Sequence, residues 1–351
     1  MTFRTLARRV RDTERPLGWR QGALRSAVGR YRHLGFELTW AFITGTDPGA
    51  RTRLDEAGLL AALETVEASR AAWLVETDAF ARRRKAQKRE ARLPVDPAEM
   101  RYRNGPRWPG PRAHEAAVFG VAASRGPRPA PHPVPQVRSL VEPLEAELDP
   151  IVDAYLGAGL GPADRRRLRD LLDRIEAVDA GLRRDLGLWG SVMEVRRVAE
   201  LIGNDALPLV RRGWIGDAAS VTEIFWAARG GMTYLPALHT YDETAWWVEE
   251  VMIPAAELWI AERHGVPVGF AALGGDWLDH LYVSPAAQGH GVGEALLAKA
   301  KRRRKALDLH VFEQNTGAQA FYERHGFSLL GKSDGRGNEE KLPDRHMLWR
   351  R

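Results

Sequence analysis

The chain has 351 residues, enough for about two domains at roughly 150 residues each. Its hydrophobic fraction of 44% and charged fraction of 28% are those of an ordinary globular protein, and no run approaches the ~18 consecutive apolar residues of a membrane-spanning helix. Cysteine is absent, which excludes disulfides, thiolate metal sites, a Cys nucleophile and thiol redox chemistry. The Arg-rich start, Met1 to Leu34, lacks the apolar core of a secretory signal, so the expected location is the cytoplasm. Net charge is +6, and with only seven Lys among 52 basic residues the other 45 are Arg. With abundant Ala and Gly, this is the composition expected of a GC-rich bacterial genome. Taken as spread over the whole chain, +6 reads as a solvated surface; attraction to nucleic acid or a phosphorylated ligand is the alternative.

Residues 1–90 read as mainly helical. Leu54, Leu59, Leu60, Leu63 and Val66 recur at helical spacing, and Glu64 to Glu90 contains no Gly or Pro. Arg82-Arg83-Arg84-Lys85 and Lys88-Arg89 would complement the dipole at that helix's end. Residues 91–137 hold ten of the 21 prolines, among them Pro106, Pro109, Pro111 and the alternating set Pro127, Pro129, Pro131, Pro133 and Pro135. This predicts an extended linker. A second helical block, 138–187, carries one stripe of Leu140, Val141, Leu144, Leu148 and Ile151. Another follows at Leu168, Leu171, Leu172, Ile175 and Val178, with Gly161-Pro162 turning between them. No repeat and no Walker loop, nucleophile elbow or metal-spaced His cluster occurs in this half.

From about residue 188 the pattern becomes alternating strands and helices. Leu209 to Trp214 reads as a weak strand, followed by a helix capped by Asp217 with Val221, Ile224, Phe225 and Ala228 on its apolar face. Asp242 to Met252 is a second amphipathic helix. Glu257 to Glu262 and Pro267 to Leu273 form a hairpin around His264-Gly265, and Trp277 to Val283 is a third strand. Gln288-Gly289-His290-Gly291-Val292-Gly293 then opens a helix running from Glu294 to Lys305. Glycines there let an anion approach exposed backbone N–H groups at the positive end of the helix dipole. The dinucleotide pattern fails, because the third glycine position is Glu294. Leu307 to Phe312 is a strand, Asn315 caps a helix from Gly317 to His325, and Gly326 ends it in a left-handed conformation. A final strand surrounds His346 to Trp349.

In that order and spacing, Leu281-Tyr282-Val283-Ser284-Pro285, Gln288-x-x-Gly291-x-Gly293, Asn315 and Phe321-Tyr322-x-x-x-Gly326-Phe327 resemble the GCN5-related N-acetyltransferase family over roughly residues 205–351. The resemblance implies an α/β (α+β) domain with a mixed, splayed central sheet flanked by helices, the acyl-CoA N-acyltransferase type, behind an α-helical N-terminal region. It implies acetyl-CoA as cosubstrate and no metal. Gln288, Gly289, His290, Gly291, Val292 and Gly293 would hold the pyrophosphate; Leu281, Tyr282 and Val283 would pair with the pantetheine arm; Asn315 and Tyr322 would lie close to the sulfur.

Within that frame Tyr322 is the candidate general acid, donating a proton as thiolate charge develops; packing beside Phe321 is its other reading. Asp279 and His280 are the candidate bases. Being adjacent on a strand, they face opposite ways, so only one can reach the acceptor, and His280 has the better ordinary pKa. Glu249, Glu250 and His239 are further candidates, and the family often removes the proton through ordered water. Trp246, Trp247 and Trp259 read as core, and Lys301 to Lys305 as a dipole-compatible helix end. The expected function is acetyl transfer from acetyl-CoA directly to a primary amine, on a small molecule or a peptide, with no membrane partner and a homodimer left open. Two other readings stand beside it: a non-catalytic acyl-CoA-binding module, and a nucleic-acid- or protein-binding N-terminal half that delivers the acetyltransferase.

Overall fold

The computed structural model describes residues 1–90, 96–125, 135–182, 186–302 and 304–351. They form two compact units, Met1–Arg82 with Met100–Leu207, and Arg83–Glu99 with Pro208–Arg351. Among the described residues no helix is long and apolar enough to cross a membrane.

The first unit is helical. Its helices are α1 (Phe3–Arg11), α2 (Leu17–Arg30), α3 (Phe36–Thr44), the long α4 (Glu56–Glu90), α5 (Pro97–Asn104), α6 (Ala113–Ala123), α7 (Pro135–Leu156), α8 (Pro162–Leu182) and α9 (Leu186–Ala206); the last turns of α4 and most of α5's first turn fall in the second unit. The apolar stripes anticipated from spacing are its core: Leu59, Leu63, Val66, Ile151, Leu168, Leu171 and Ile175 are fully shielded.

Three expectations change here. The stretch read as an extended linker contains α5 and α6, and Trp108, Ala116 and Val121 are buried in the helical core. Trp108 packs edge-on against Phe42 at 5.3 Å, so Pro106, Pro109 and Pro111 punctuate a packed turn. Pro127, Pro129, Pro131 and Pro133 lie outside the described residues, and Pro135 opens α7, where a missing N–H costs nothing. The boundary anticipated near 188 moves to Leu207/Pro208, because α9 buries Val195, Ala199, Leu201 and Ile202 in the same core as α7 and α8. The Arg83-Arg84 pair in the basic run is buried, Arg83 on Glu99 and Arg84 donating to Gln87 at 2.6 Å.

The second unit is a seven-stranded sheet with helices on both faces. Its strands are β1 (Leu209–Arg212), β2 (Glu257–Arg263), β3 (Val266–Gly274), β4 (Trp277–Val283), β5 (Ala306–Phe312), β6 (Ser328–Ser333) and β7 (Asp344–Arg350), ordered β1-β2-β3-β4-β5-β7-β6. Every pairing is antiparallel except β4 with β5. Helices α10 (Ala218–Gly230), α11 (Tyr241–Trp247) and the short α12 (Ile253–Ala255) cover one face over Ile260, Phe270 and Ala272. Helices α13 (Val292–Lys301) and α14 (Thr316–Arg324) belong to the opposite core with Leu273, Leu278, Leu307 and Leu309. The β2–β3 hairpin turns at His264 (φ 50°) and Gly265 (φ 78°), the left-handed pair that matches strand twist. The helix anticipated from Asp242 to Met252 is interrupted by a π-turn at Val248–Met252. Strand β6 has no counterpart in the sequence reading, since its residues are largely exposed and do not alternate.

Asp217 precedes α10 but does not cap it. Its carboxylate instead takes both guanidinium nitrogens of Arg211 (2.9 and 2.7 Å) and the Trp214 N–H, while the Arg211 Nε donates to Glu262 at 2.6 Å. All three side chains are buried, so removing the cation strands two carboxylates in the interior. Arg211→Ala is expected to destabilise the second unit by about 3–5 kcal/mol and lower its melting temperature by about 10 °C; calorimetry showing a shift under about 2 °C would mean that the network contributes little.

Candidate functional site

Strands β4 and β5 run parallel but share one pair, Trp277 with Asp308. Past it β4 stays on β3 to Val283 and β5 stays on β7 to Phe312, so the sheet opens into a V. The β5-facing edge of β4 beyond Trp277 therefore has no strand partner among the described residues. That row of backbone groups is what an extended, amide-bearing ligand needs.

A bulge decides which side chains look into the V. Leu273 pairs with Leu278 and Ala272 with His280, leaving Asp279 as an extra residue on β4. Without it Leu278, His280 and Tyr282 would share a face. With it, Leu278, Leu281 and Val283 join the core under α13, while His280 and Tyr282 turn toward Phe225 and Trp247 on the α10–α11 face. Asp279 is exposed, its carboxylate lying against the Gly274 backbone.

At the mouth, Pro285–Ala287 forms a 3-10 turn and Gln288, Gly289 and His290 are exposed. Gly289 (φ 77°) and Gly291 (φ 79°) are both left-handed, and Gly291 is the N-cap of α13. The His290 Nδ1–H donates to the Gln288 carbonyl at 2.8 Å, fixing the loop. First-turn N–H groups of α13, those of Val292 and Gly293 among them, have no helical carbonyl to meet, so the turn fits a diphosphate. Gly269 on β3 lets this helix end sit close: a Cβ there would stand 2.8 Å from Val292 Cγ1.

Beyond the end of β5, the Asn315 side chain accepts from Ala318 N–H at 3.1 Å and caps α14 as anticipated. Tyr322 on α14 is buried between Phe321 (5.2 Å) and Phe327 (5.4 Å). Burial, reinforced by neighbouring Tyr282, pushes its phenol up. Burial likewise raises Tyr282, opposed by the nearby Arg229 guanidinium. His280 is lowered to about 4 by burial and then by Arg229, so it is neutral near pH 7 and a far weaker base than its ordinary value suggests. Although its side chain reaches solvent, the Asp279 carboxyl is raised by partial desolvation against the β3–β4 turn, opposed by the Gly274 backbone. Glu249 and Glu250 lie exposed in the π-turn, and His239 meets Glu339 at 2.8 Å on the surface. Trp246 is 63% exposed, not core.

The residues the sequence did not disclose are Arg229, Glu340 and Tyr234. Arg229, at the end of α10, donates to Glu340 Oε1 at 2.9 Å, lies 5.3 Å from the Phe225 ring and faces Tyr282. Tyr234 stands beside Asn315 and Phe312. They come from a helix end and two loops separated by about a hundred residues, with no local pattern to mark them. No group of three His, Asp or Glu that could hold a metal occurs among the described residues.

Residues 254–329 match the acetyltransferase (GNAT) domain family, and this C-terminal part of the chain is a GNAT domain. Similar proteins include the peptidyl-lysine N-acetyltransferase YjaB of Salmonella typhimurium, 39% identical over 83 residues, which are 23% of this chain and 57% of that protein. Another is the peptidyl-lysine N-acetyltransferase YiaC of Escherichia coli, 28% identical over 118 residues, 32% of this chain and 80% of that protein. The chain thus spans little more than half the length of YjaB. The solution structure of apo YjaB from Escherichia coli aligns with 28% identity over 41% of this chain and 97% of that one, with a TM-score of 0.36.

Because His280 holds a depressed pKa only while folded, its unfolded form binds a proton first as pH falls, and stability drops between about 6.5 and 4. NMR titration of its ring protons is expected to show a midpoint near 4; a midpoint near 6.5 would show the ring is solvated.

Proposed function

We propose that the chain is an acetyl-CoA-dependent N-acetyltransferase that acylates a primary amine directly, with a lysine side chain in a basic peptide as the acceptor class. The observation that carries this reading is the V between β4 and β5, with the Gly289–Gly291 turn at its mouth; Tyr322, buried beside Phe321 and Phe327, would lie along its wall. The loop from Gln288 to Gly293 would hold the pyrophosphate on main-chain N–H groups, and Leu281 to Val283 would pair with the pantetheine arm. Bound acetyl-CoA supplies a thioester and, after transfer, a thiolate. Tyr322 stays protonated at neutral pH and holds the proton a departing sulfur needs; Asn315 would also lie near that sulfur.

His280 is too weakly basic to deprotonate an ammonium efficiently, and Asp279 is turned to the Gly274 backbone, so this site works without a dedicated base: the amine gives its proton to solvent. Tyr282, held by Arg229, and the rings of Phe225 and Trp247 form the acceptor wall and exclude water. The peptide-lysine reading draws on the names of the relatives and on charge. Between Gly230 and Glu262 there is no Lys or Arg; Glu257 and Glu262 are taken by Arg304 and Arg211, while Asp242, Glu249 and Glu250 are exposed, a surface that attracts a cationic acceptor.

Gly291→Asp puts a side chain and a negative charge where a phosphate would sit, at a left-handed position as well. Calorimetry is expected to show no acetyl-CoA binding by the folded variant; retained affinity moves the cofactor elsewhere.

Tyr322→Phe keeps the ring packing and removes only the hydroxyl. Turnover with a lysine peptide is expected to fall about 10²-fold with acetyl-CoA affinity unchanged, the low end for general acids because the thiol is a good leaving group. The deficit should narrow as pH rises. Equal rates at every pH would reduce Tyr322 to packing, and acetyl-CoA binding without turnover on any amine would favour the non-catalytic module.

A further inference from the structure

The net charge is not spread over the chain. Residues 1–35 contain nine Arg and two acidic residues, a net +7, whereas the whole chain sums to +6; everything after residue 35 is therefore −1. The two basic runs that stand out in the sequence are occupied internally: Arg83 and Arg84 by Glu99 and Gln87, Lys301 over the Phe327 and Trp349 rings, and Arg304 on Glu257. By contrast Arg4, Arg8, Arg30 and Arg32 are exposed, and no carboxylate pairs with them among the described residues.

These arginines border three grooves of the first unit. One, of about 490 Å³, is lined by Phe3, Arg4, Arg8, Arg70 and the paired Arg11 and Glu67, so Arg4, Arg8 and Arg70 are its cations without an acidic partner in the groove. A second, of about 380 Å³, shares Phe3 and Arg70 and adds Arg30, Arg32, His33 and Trp73. A third, of about 430 Å³, shares Arg30 and adds Arg9 and Trp19. The grooves thus follow one another around α1 through shared residues. An exposed aromatic face accompanies the cations: Trp19 is 54% exposed, with Arg9 and Arg15 5.7 and 5.3 Å from its ring, whereas Phe3 is covered by Arg70 at 4.8 Å.

We infer that the first unit binds single-stranded nucleic acid along these arginine-lined grooves, with exposed Trp19 as the stacking surface for bases. A track of unpaired cations beside an exposed ring face is what a flexible polyanion with flat bases requires. An anionic membrane would satisfy the cations but needs an apolar helix face to insert, and the apolar residues of α1, Leu6, Ala7 and Val10, are buried in the fold.

The test uses the full chain, fluorescein-labelled U20 RNA and dT20 DNA, and fluorescence anisotropy from 50 to 200 mM NaCl. Binding is expected, with a log–log salt slope that R4E/R8E/R32E reduces by about 2, near 0.7 per lost phosphate contact, and with at least tenfold weaker affinity at 100 mM. Trp19→Ala should weaken binding about tenfold. R82E/K85E/K88E makes the same charge change outside the grooves and should leave affinity within threefold. The inference is overturned by no binding at 50 mM salt, by equal losses in the two charge-reversed variants, by preference for a duplex of the same length, or by capture on phosphatidylglycerol-containing vesicles without binding to either oligonucleotide. A preference between U20 and dT20 identifies the sugar.

Discussion

The single pair that joins β4 to β5 is the constraint on which the second unit's chemistry depends, and side chains fasten it. Trp277 stacks on His310 (5.2 Å, 9°) and on His346 (5.0 Å, 20°). His346 meets Asp308 at 2.7 Å and His310 meets Asp344 at 3.2 Å, while the Asp308 N–H donates to the Asp276 carbonyl. This clamp ties three strands at one end of the sheet. On either side of it β5 is zipped to β7 over seven pairs and β4 to β3 over six, so both blades of the V are rigid. A parallel pair that continued would consume the β4 edge. Stopping it after one pair keeps that edge available while the flanking ladders hold it in place.

The bulge at Asp279 extends the same logic to side chains. It occurs between the clamp and the open edge, and it sends His280 and Tyr282 to one face while Leu281 and Val283 stay in the core that seats α13. The mouth and the inner wall are thus set by one strand. Arg229 then braces the α10–α11 face, since its guanidinium reaches Glu340 in the β6–β7 loop and faces Tyr282 on β4. A second link, His239 to Glu339, ties the loop before α11 to that same loop. The price of the arrangement is a histidine held neutral, with its stability contribution lost on the acid side.

Local signals made much of the second unit legible. Left-handed glycines at 265, 289, 291 and 326, the Asn315 cap and the alternation along β2 to β5 each act within a few residues, so the sequence exposes them directly. The bulge does not show, because Leu278-Asp279-His280 alternates as any strand would and only the register against β3 reveals the extra residue. Arg229, Glu340 and Tyr234 were illegible for a related reason: they converge from α10 and two loops, and nothing near any of them differs from surface sequence. In the first unit the helical stripes were plain, whereas the prolines misled. Pro106, Pro109 and Pro111 specify fixed φ angles equally well in a linker and in a packed corner, and what decides is Trp108, whose burial depends on Phe42 far upstream. Likewise α9 was missed because its apolar residues are meant for α7 and α8.

Charge was the least legible property, and for a physical reason. A run such as Arg82-Arg83-Arg84-Lys85 looks like a polyanion site because its charges are adjacent in the chain. On a helix, though, successive residues point about 100° apart, so a run necessarily places some members toward the interior, where a guanidinium must find partners. Arg83 and Arg84 find them and are spent on structure. Arginines dispersed at helical spacing, such as Arg4, Arg8 and Arg11 on α1, fall on one face and can all remain outside. Arg11 is engaged with Glu67, but Arg4 and Arg8 keep their charge for something external. For a helical protein, periodic basic residues that share an exposed face are therefore better evidence of an anionic partner than consecutive ones, and the concentration of net charge within residues 1–35 follows from where those faces lie.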